Sequence, residues 1–354
     1  MFHHYCNVAT SAVAGSSASG TRSAATSTST SGSLWVAARG TEQSSRRRTA
    51  ILVLVSCHNV CMTTMFDALI APDIPPRSAG SVPDHVFRYM DTNGLLYTIR
   101  DKELRLNSWS RMNDPRESKQ WRSSGALQAI GGYTETEMYR RIDNILRRSA
   151  RLMALTADRS AHPSASSRDL FHRGWANSAL WAHYADNHQG VCLVLGAPEL
   201  VETVHNSAPD IETVRDEISD GVRYVNAGAI TYSDQPITID LTGKFSSQDS
   251  LDEAIERYLD TQWKQFNLHM TKTRDWAYEN EWRIATIDPN LADDQLDTPE
   301  KVPLGDCLKA VILGDGHPAP RIIADGIRAA FDSRAPEFFQ CNWSDGAPSL
   351  TPLD

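Results

Sequence analysis

The stretch with most chemical content is Lys272-Thr273-Arg274-Asp275-Trp276-Ala277-Tyr278-Glu279-Asn280-Glu281-Trp282-Arg283-Ile284. Its spacing predicts a strand entered near Glu279, with Glu279, Glu281 and Arg283 on one face and Trp282 and Ile284 on the packed other. Two carboxylates so placed repel unless a cation sits between or beyond them. A site that stabilises a developing positive charge has that need, and cleavage of a glycosidic bond through an oxocarbenium-like state is such a reaction. The same residues also fit a salt bridge from Arg283 to either carboxylate on a solvated strand face.

His183 and His188 stand five residues apart in Trp181-Ala182-His183-Tyr184-Ala185-Asp186-Asn187-His188-Gln189-Gly190. On a helix that separation leaves the imidazoles about 140° apart, so they are read as structural histidines at a helix end, which Gly190 closes. No metal is expected. A phosphate loop, a Rossmann glycine fingerprint, His-Glu-x-x-His and Gly-x-Ser-x-Gly are all absent from the sequence.

The 354 residues carry a net charge of -9, which argues against a protein that mainly wraps nucleic acid but leaves room for a local basic cleft. No run approaches the roughly 18 apolar residues of a spanning helix, so no membrane partner is expected. Six cysteines are scattered without a C-x-x-C pair. They read as buried thiols of a cytoplasmic protein.

The elements that must position these residues begin late. Twenty-two of the 24 positions from Thr10 to Ser33 are Ser, Thr, Ala or Gly. Residues 1–61 are therefore expected to be a disordered or non-native extension. Its charge of +4 leaves -13 for the rest. Arg46 to Cys61 resembles a signal peptide with a lipoprotein-like end at Cys57, but its apolar run is short and starts far into the chain, so a natural start at Met62 or Met65 is favoured, with a strand at Ile51–Val55 as a third reading.

Residues 62–332 are read as one domain and 333–354 as a C-terminal strand or tail. Strands are expected at Val86–Met90, Gly190–Gly196, Gly228–Tyr232, Glu281–Thr286 and Leu308–Leu313. Thr134 and Glu137 form a capping-box pattern, followed by Met138, Ile142, Ile145, Leu146 and Met153 at helical spacing. Ser250 to Glu253 gives a second, with a helix through Leu251, Ile255, Leu259, Trp263 and Phe266 to about Met270. A late helix is expected through Ile322, Ile323, Ile327 and Phe331, a turn at Asn113-Asp114-Pro115 and a polar loop over Ser160–Arg168. The absence of hairpin rhythm or a β-α-β repeat predicts an α+β fold of small mixed or antiparallel sheets with inserted helices.

Arg88-Tyr89, Asn113-Asp114-Pro115, Trp181-x-His183-Tyr184 with Gly190, Trp276-x-Tyr278-Glu279-x-Glu281-Trp282-Arg283 and Val311-Ile312-Leu313-Gly314 together resemble a bacterial domain-of-unknown-function family, over roughly Val86 to Gly316. The family's Cys-Phe-Ser-like strand has Leu152–Thr156 in its place, and the acidic 200–260 stretch has no counterpart.

Glu279-Asn280-Glu281 is also similar to the Glu/Gln-x-Glu element of mono-ADP-ribosyltransferases. That resemblance implies an ADP-ribosyltransferase-like fold that splits the nicotinamide bond of NAD and modifies a protein or nucleic-acid acceptor, in a toxin or antiphage setting. Glu281 would hold the nicotinamide ribose and stabilise the oxocarbenium, and Glu279 would orient or deprotonate the acceptor. Arg88, or His85 in its place, would meet an NAD phosphate and Tyr184 would stack on nicotinamide. Tyr89, Trp181, His183 and Arg283 complete the expected NAD-binding set, although Trp181 and Trp276 are core aromatics by residue type alone. Two other classes fit the residues: a nucleotide- or partner-binding module around Trp181, Tyr184 and Trp276, and a metal-dependent nucleic-acid enzyme using Glu279, Glu281 and His183.

Overall fold

A computed structural model describes residues 64–70, 82–119, 121–123, 125–159, 170–207, 224–236, 238–261, 268–331 and 335–354. Residues 59–354 form one compact unit. The readings of residues 1–61 and of the 160–168 loop fall outside the described residues, as do Trp263 and Phe266.

Ten strands make the main sheet: β1 (His85–Met90), β2 (Glu103–Ser108), β3 (Ala150–Thr156), β4 (Val191–Gly196), β5 (Tyr224–Ala229), β6 (Glu281–Ile287), β7 (Glu300–Pro303), β8 (Leu308–Leu313), β9 (Glu337–Ser344) and β10 (Ala347–Pro352). The order runs β7-β2-β3-β1-β4-β8-β9-β10, with β6 on the other edge of β3 and β5 beyond it. Every pairing is antiparallel except β8 with β9. The fold is thus α+β with a mainly antiparallel sheet, but that sheet is large where small ones were expected. The difference arises because strands far apart in sequence, such as β1 and β4, join one ladder.

Among the described residues the chain forms helices α1 (Met65–Ile70), α2 (Thr92–Asp101), α3 (Pro115–Ser118), α4 (Glu135–Asp143), α5 (Ser178–Tyr184), α6 (Ala197–Asn206), α7 (Gln248–Leu259) and α8 (Pro320–Ala330). Among the described residues none is long and apolar enough to cross a membrane.

The two faces of the sheet are covered differently. On one face Val86, Leu106, Met153, Leu155, Leu193, Trp282, Ile284 and Val311 form a continuous core with α2, α6 and α8. The other face carries two cores. Leu152, Ala285 and Ile287 pack with Trp109, α4 and α7, while Phe87, Cys192, Val194 and Ile312 pack with Trp175 and Trp181. Between them, in register, lie Thr156 opposite Glu281 and Ala154 opposite Arg283. The polar residues occupy the seam between two apolar cores.

β3 also supports a fork. Phe87 of β1 pairs with Thr156 at one end of β3, and Asn107 and Ser108 of β2 pair with Leu152 and Arg151 at the other. Between these contacts Met153, Ala154 and Leu155 have no ladder partner on that edge among the described residues. These three residues, in the span of about 13 Å from Leu152 to Thr156, form an open floor.

Local chemistry explains several elements. Thr134 accepts from the Glu137 amide while Glu137 reaches back to the Thr134 amide, the expected box. Met138, Ile142, Ile145 and Leu146 are buried along α4 and the π turn Asn144–Arg148 that follows. Met153 is not on that helix: the π turn ends it, and Met153 lies in β3. The second box starts at Ser247, with Ser250 at its third helical position, and the helix ends at Leu259. Gly228–Tyr232 is not one strand. β5 stops at Ala229, the Ile230 amide turns to the Glu281 carbonyl, and Thr231–Tyr232 pairs in parallel with Thr271–Lys272.

Gly190 does not close a helix. α5 ends at Tyr184, and Asp186, Asn187 and His188 follow with φ of 46°, 50° and 69°. Three consecutive left-handed residues are strained for L side chains, and tight packing holds them. A Cβ on Gly190 would meet the Met90 carbonyl at 2.4 Å, and one on Gly314 would meet the His188 carbonyl at 2.0 Å. These two motif glycines exist for close backbone approach.

Candidate active site

Asn113-Asp114-Pro115 is a helix start rather than a plain turn. Asp114 accepts from the Arg116 amide at 2.9 Å, and Pro115 occupies the first position of α3. This short helix drives Glu117 into the interior, where it is 0% exposed. The second unanticipated residue is Lys272, which the small ladder with Thr231–Tyr232 brings to the start of β6.

Glu279 is not on the strand. It ends a 3-10 segment, Arg274–Glu279, and Asn280 with φ 46° turns the chain into β6 at Glu281. The two carboxylates converge all the same. Lys272 Nζ donates to Glu279 Oε2 at 2.6 Å and to Glu281 Oε2 at 3.0 Å, 4.6 Å from the centre of the Trp276 ring. Arg283 closes the group from behind. Its Nε and Nη2 donate to the two oxygens of Glu281, the second at 3.2 Å, and Nη1 donates to the His269 carbonyl at 3.0 Å. Nη2 also lies 2.5 Å from Glu117 Oε1. The guanidinium stands 5.0 Å from the centre of the Trp109 ring.

The result is one alternating chain of charge, Glu117, Arg283, Glu281, Lys272, Glu279, capped by the Tyr184 hydroxyl donating to Glu279 Oε1 at 2.7 Å. The strand face is buried, not solvated: Glu281 and Arg283 are 3% and 0% exposed. Tyr232 accepts the Glu281 amide and Thr156 donates to the Glu279 carbonyl, which fixes the backbone of both acids.

Burial pulls on every member, and the neighbours decide the outcome. Burial raises the Glu281 carboxyl, but Arg283 and Lys272 outweigh it and hold the group below its usual range. Burial lowers Lys272, but Glu281 and Glu279 raise it overall. In Glu117 burial wins over Arg283, with Glu281 adding repulsion, and its pKa is raised. Burial and Glu279 raise Tyr184, so its hydroxyl keeps its proton.

A cavity of about 280 Å³ opens on this group. Glu117, Glu279, Glu281 and Lys272 line one part, and Ala154 of the fork floor with Thr156 at its end another. Arg88 and Arg111 also line it. Arg88 donates to the Arg105 carbonyl across the fork at 3.0 Å and has no carboxylate partner among the described residues. Burial beside Arg105 pushes its pKa down to about 10.

Of the residues expected from sequence, the structure brings Glu279, Glu281, Arg88, Tyr89 and Tyr184 to the cavity wall; His85 is not there. The Tyr89 hydroxyl is committed to the Gly174 carbonyl at 2.7 Å, leaving only its ring. Trp181, His183 and Arg283 are not on the wall. Trp181 is fully buried with its indole N–H on the Trp175 carbonyl, because it anchors the core under β1. His183 is exposed beside Tyr278, and Arg283 is sealed behind Glu281. The signals for the two missed residues are faint. Lys272 heads the motif stretch, and Glu117 stands two residues after the N-terminal proline of α3.

Among the described residues no group of three or more His, Cys, Asp or Glu side chains could hold a metal ion. No curated protein and no solved structure matches the chain. A family profile does match: residues 180–284, which hold both the Trp181–Gly190 element and the Trp276–Arg283 element, are similar to the family described as a protein of unknown function, DUF2971.

Proposed function

We propose that the cavity is the active centre of an NAD-dependent ADP-ribosyltransferase-like enzyme, on a fold of that type. The observation that supports this most is a buried excess of carboxylate, three against two cations, in a cavity that Arg88 and Arg111 also line. A substrate carrying a cationic ring and a diphosphate complements both features.

In this reading Glu281, fixed by Arg283, sits beside the ribose carbon and stabilises positive charge there as the C–N bond breaks. The bonding electron pair leaves with the nicotinamide nitrogen. An acceptor nucleophile on a protein or nucleic acid forms the new bond to that carbon, and its proton passes to Glu279. Arg88 holds a phosphate, and the Tyr184 ring flanks nicotinamide. Lys272 bridges the two carboxylates beside the Trp276 ring and stays with them when the cationic ring is seated. A cytoplasmic setting, with its NAD supply, fits this reading and the free thiols of Cys192, Cys307 and Cys341. A toxin or antiphage role is the setting that chemistry suits.

The test is nicotinamide release from NAD by the full chain, with EDTA present and a cell lysate as acceptor source. Release by wild type, lost in Glu281→Gln, with ADP-ribose mass on a macromolecule, is the expected result. Equal turnover by the variant sinks the assignment.

A second reading is a nucleotide-binding module without turnover. Its support is that Lys272 and Arg283 both donate to Glu281 and neutralise it. NAD binding without release favours it. A metal-dependent nuclease is disfavoured because those same two cations stand where a divalent ion would have to sit; activity abolished by EDTA restores it.

A further inference from the structure

The three carboxylates of the cluster are not equivalent. Both oxygens of Glu279 and both of Glu281 accept directed hydrogen bonds. Glu117 is 0% exposed; its Oε1 meets Arg283 at 2.5 Å, and its Oε2 has no hydrogen-bond partner among the described residues. It nevertheless lines the cavity. A buried carboxylate in that condition is costly as an anion.

We infer that Glu117 makes this end of the cavity a cation-responsive subsite: it holds a proton while the cavity is empty and releases it when a monovalent cationic ring is seated. The charge count of the buried cluster motivates such a step. With Glu117 protonated the cluster is neutral, two carboxylates against two cations. A cationic ring makes it +1, and loss of the Glu117 proton to bulk water restores neutrality. Burial raises the proton affinity of Glu117 in the empty state. Glu117 is a positioning residue, since it acts on Glu281 through Arg283.

The groups facing it are Arg283 and Glu281 from β6 and Lys272 from the small ladder. Asp114 and Arg116 lie beside it on its own helix, and Arg147, paired with Asp143, donates to the Ser118 carbonyl. His269 stays neutral, since burial pushes it down to about 4.

The first arm needs no ligand. A carboxyl whose folded pKa is raised contributes stability that is full below its unfolded value near 4.5 and is lost as pH rises through the folded value. Glu281 has the opposite sign and acts below about 4.5, and Lys272 acts above about 10.5. The lowered histidines His85, His269 and His317 stabilise with rising pH up to about 6.5 and are common to both proteins compared. The difference between wild type and Glu117→Gln therefore isolates Glu117. Wild type is expected to lose about 2–4 °C of Tm, relative to the variant, for each pH unit above 4.5 until the folded pKa is reached. Parallel profiles overturn the proposal.

The second arm is calorimetric titration at a series of pH values upward from about 4.5 with 1-methylnicotinamide, a cationic ring, in two buffers of different ionisation enthalpy. Up to one proton is expected to leave wild type per ring bound, with none from Glu117→Gln and none with the neutral N-methyl-1,4-dihydronicotinamide. If Glu117→Gln does not fold, the wild-type proton count with the two rings carries the decision. Equal release from both proteins, equal release with both rings, or no binding of the cation overturns the proposal. The choice of a nicotinamide ring rests on the NAD reading, but the outcomes separate. Glu117-dependent release without any turnover of NAD leaves the subsite standing and the enzyme assignment fallen.

Discussion

Two buried ionic groups in this molecule invite comparison. Arg173 and Asp158, each about 5% exposed, face one another at 3.2 Å. Arg173 also donates to the Ala68 carbonyl, and Asp158 accepts the Gly174 amide at 2.7 Å. That pair is matched one to one and ties α1 and the Gly174 turn to the sheet. The Glu117–Arg283–Glu281–Lys272–Glu279 chain is equally buried but holds three acids against two bases, and it borders the cavity. Buried charge alone does not mark a function, since folds also use it for registration. An unmatched charge beside an open volume does, because only a ligand or a proton completes it.

The largest expected contrast is in activity. Glu281→Gln should lower nicotinamide release by about 10²–10³-fold. Asp158→Asn should leave kcat within about twofold and reveal itself only as a lower Tm. If the two variants lose activity in proportion to their loss of stability, the distinction between a matched pair and a working cluster collapses.

Next in size is stability. Removing one partner from a buried ionic group typically costs about 3–5 kcal/mol. Lys272→Met and Arg173→Met should both fall in that range in urea denaturation at pH 7. They should part on lowering the pH. Loss of Lys272 removes one of the two cations that depress the Glu281 carboxyl, so that group takes up a proton at higher pH than in wild type and the deficit of Lys272→Met shrinks. A deficit that stays constant between pH 7 and 5 means Lys272 is not the counter-charge of Glu281.

Much of the scaffold was legible in the sequence, and the part that was not has a common cause. β4 shows itself as a continuous apolar run because it is buried on both faces. The Thr134–Glu137 box shows itself because both partners lie within one turn. Glu279 and Glu281 were legible as a pair, together with the need for a cation between them. The cation itself was not, because Lys272 reaches them only through its ladder with Thr231–Tyr232, some 40 residues earlier in the chain. Glu117 was hidden for the same reason: its burial depends on α3 packing against Arg283, and nothing in Pro115-Arg116-Glu117 encodes that distance. Trp181 was misplaced because an aromatic beside a motif looks the same whether it faces a ligand or a core. Periodicity reports neighbours along one element, whereas this site is assembled across several.

The smallest effect concerns the end of the chain of charge that meets the cavity. Tyr184 donates to Glu279 at 2.7 Å, and burial beside that carboxylate raises its pKa, so it remains a donor throughout any practical assay range. Tyr184→Phe removes one hydrogen bond to a charged group, worth about 1.5–3 kcal/mol, but Glu279 keeps Lys272 on its other oxygen. The variant should therefore stay folded, with a Tm lowered by a few degrees, and the ring it retains should preserve ligand binding within about tenfold. Its activity profile should keep the wild-type shape against pH, because the lost hydroxyl does not titrate in that range. A profile that shifts in Tyr184→Phe but not in Glu117→Gln would move the responsive proton from the buried end of the chain to its cavity end, and Glu279 would then be the carboxylate that answers the ligand.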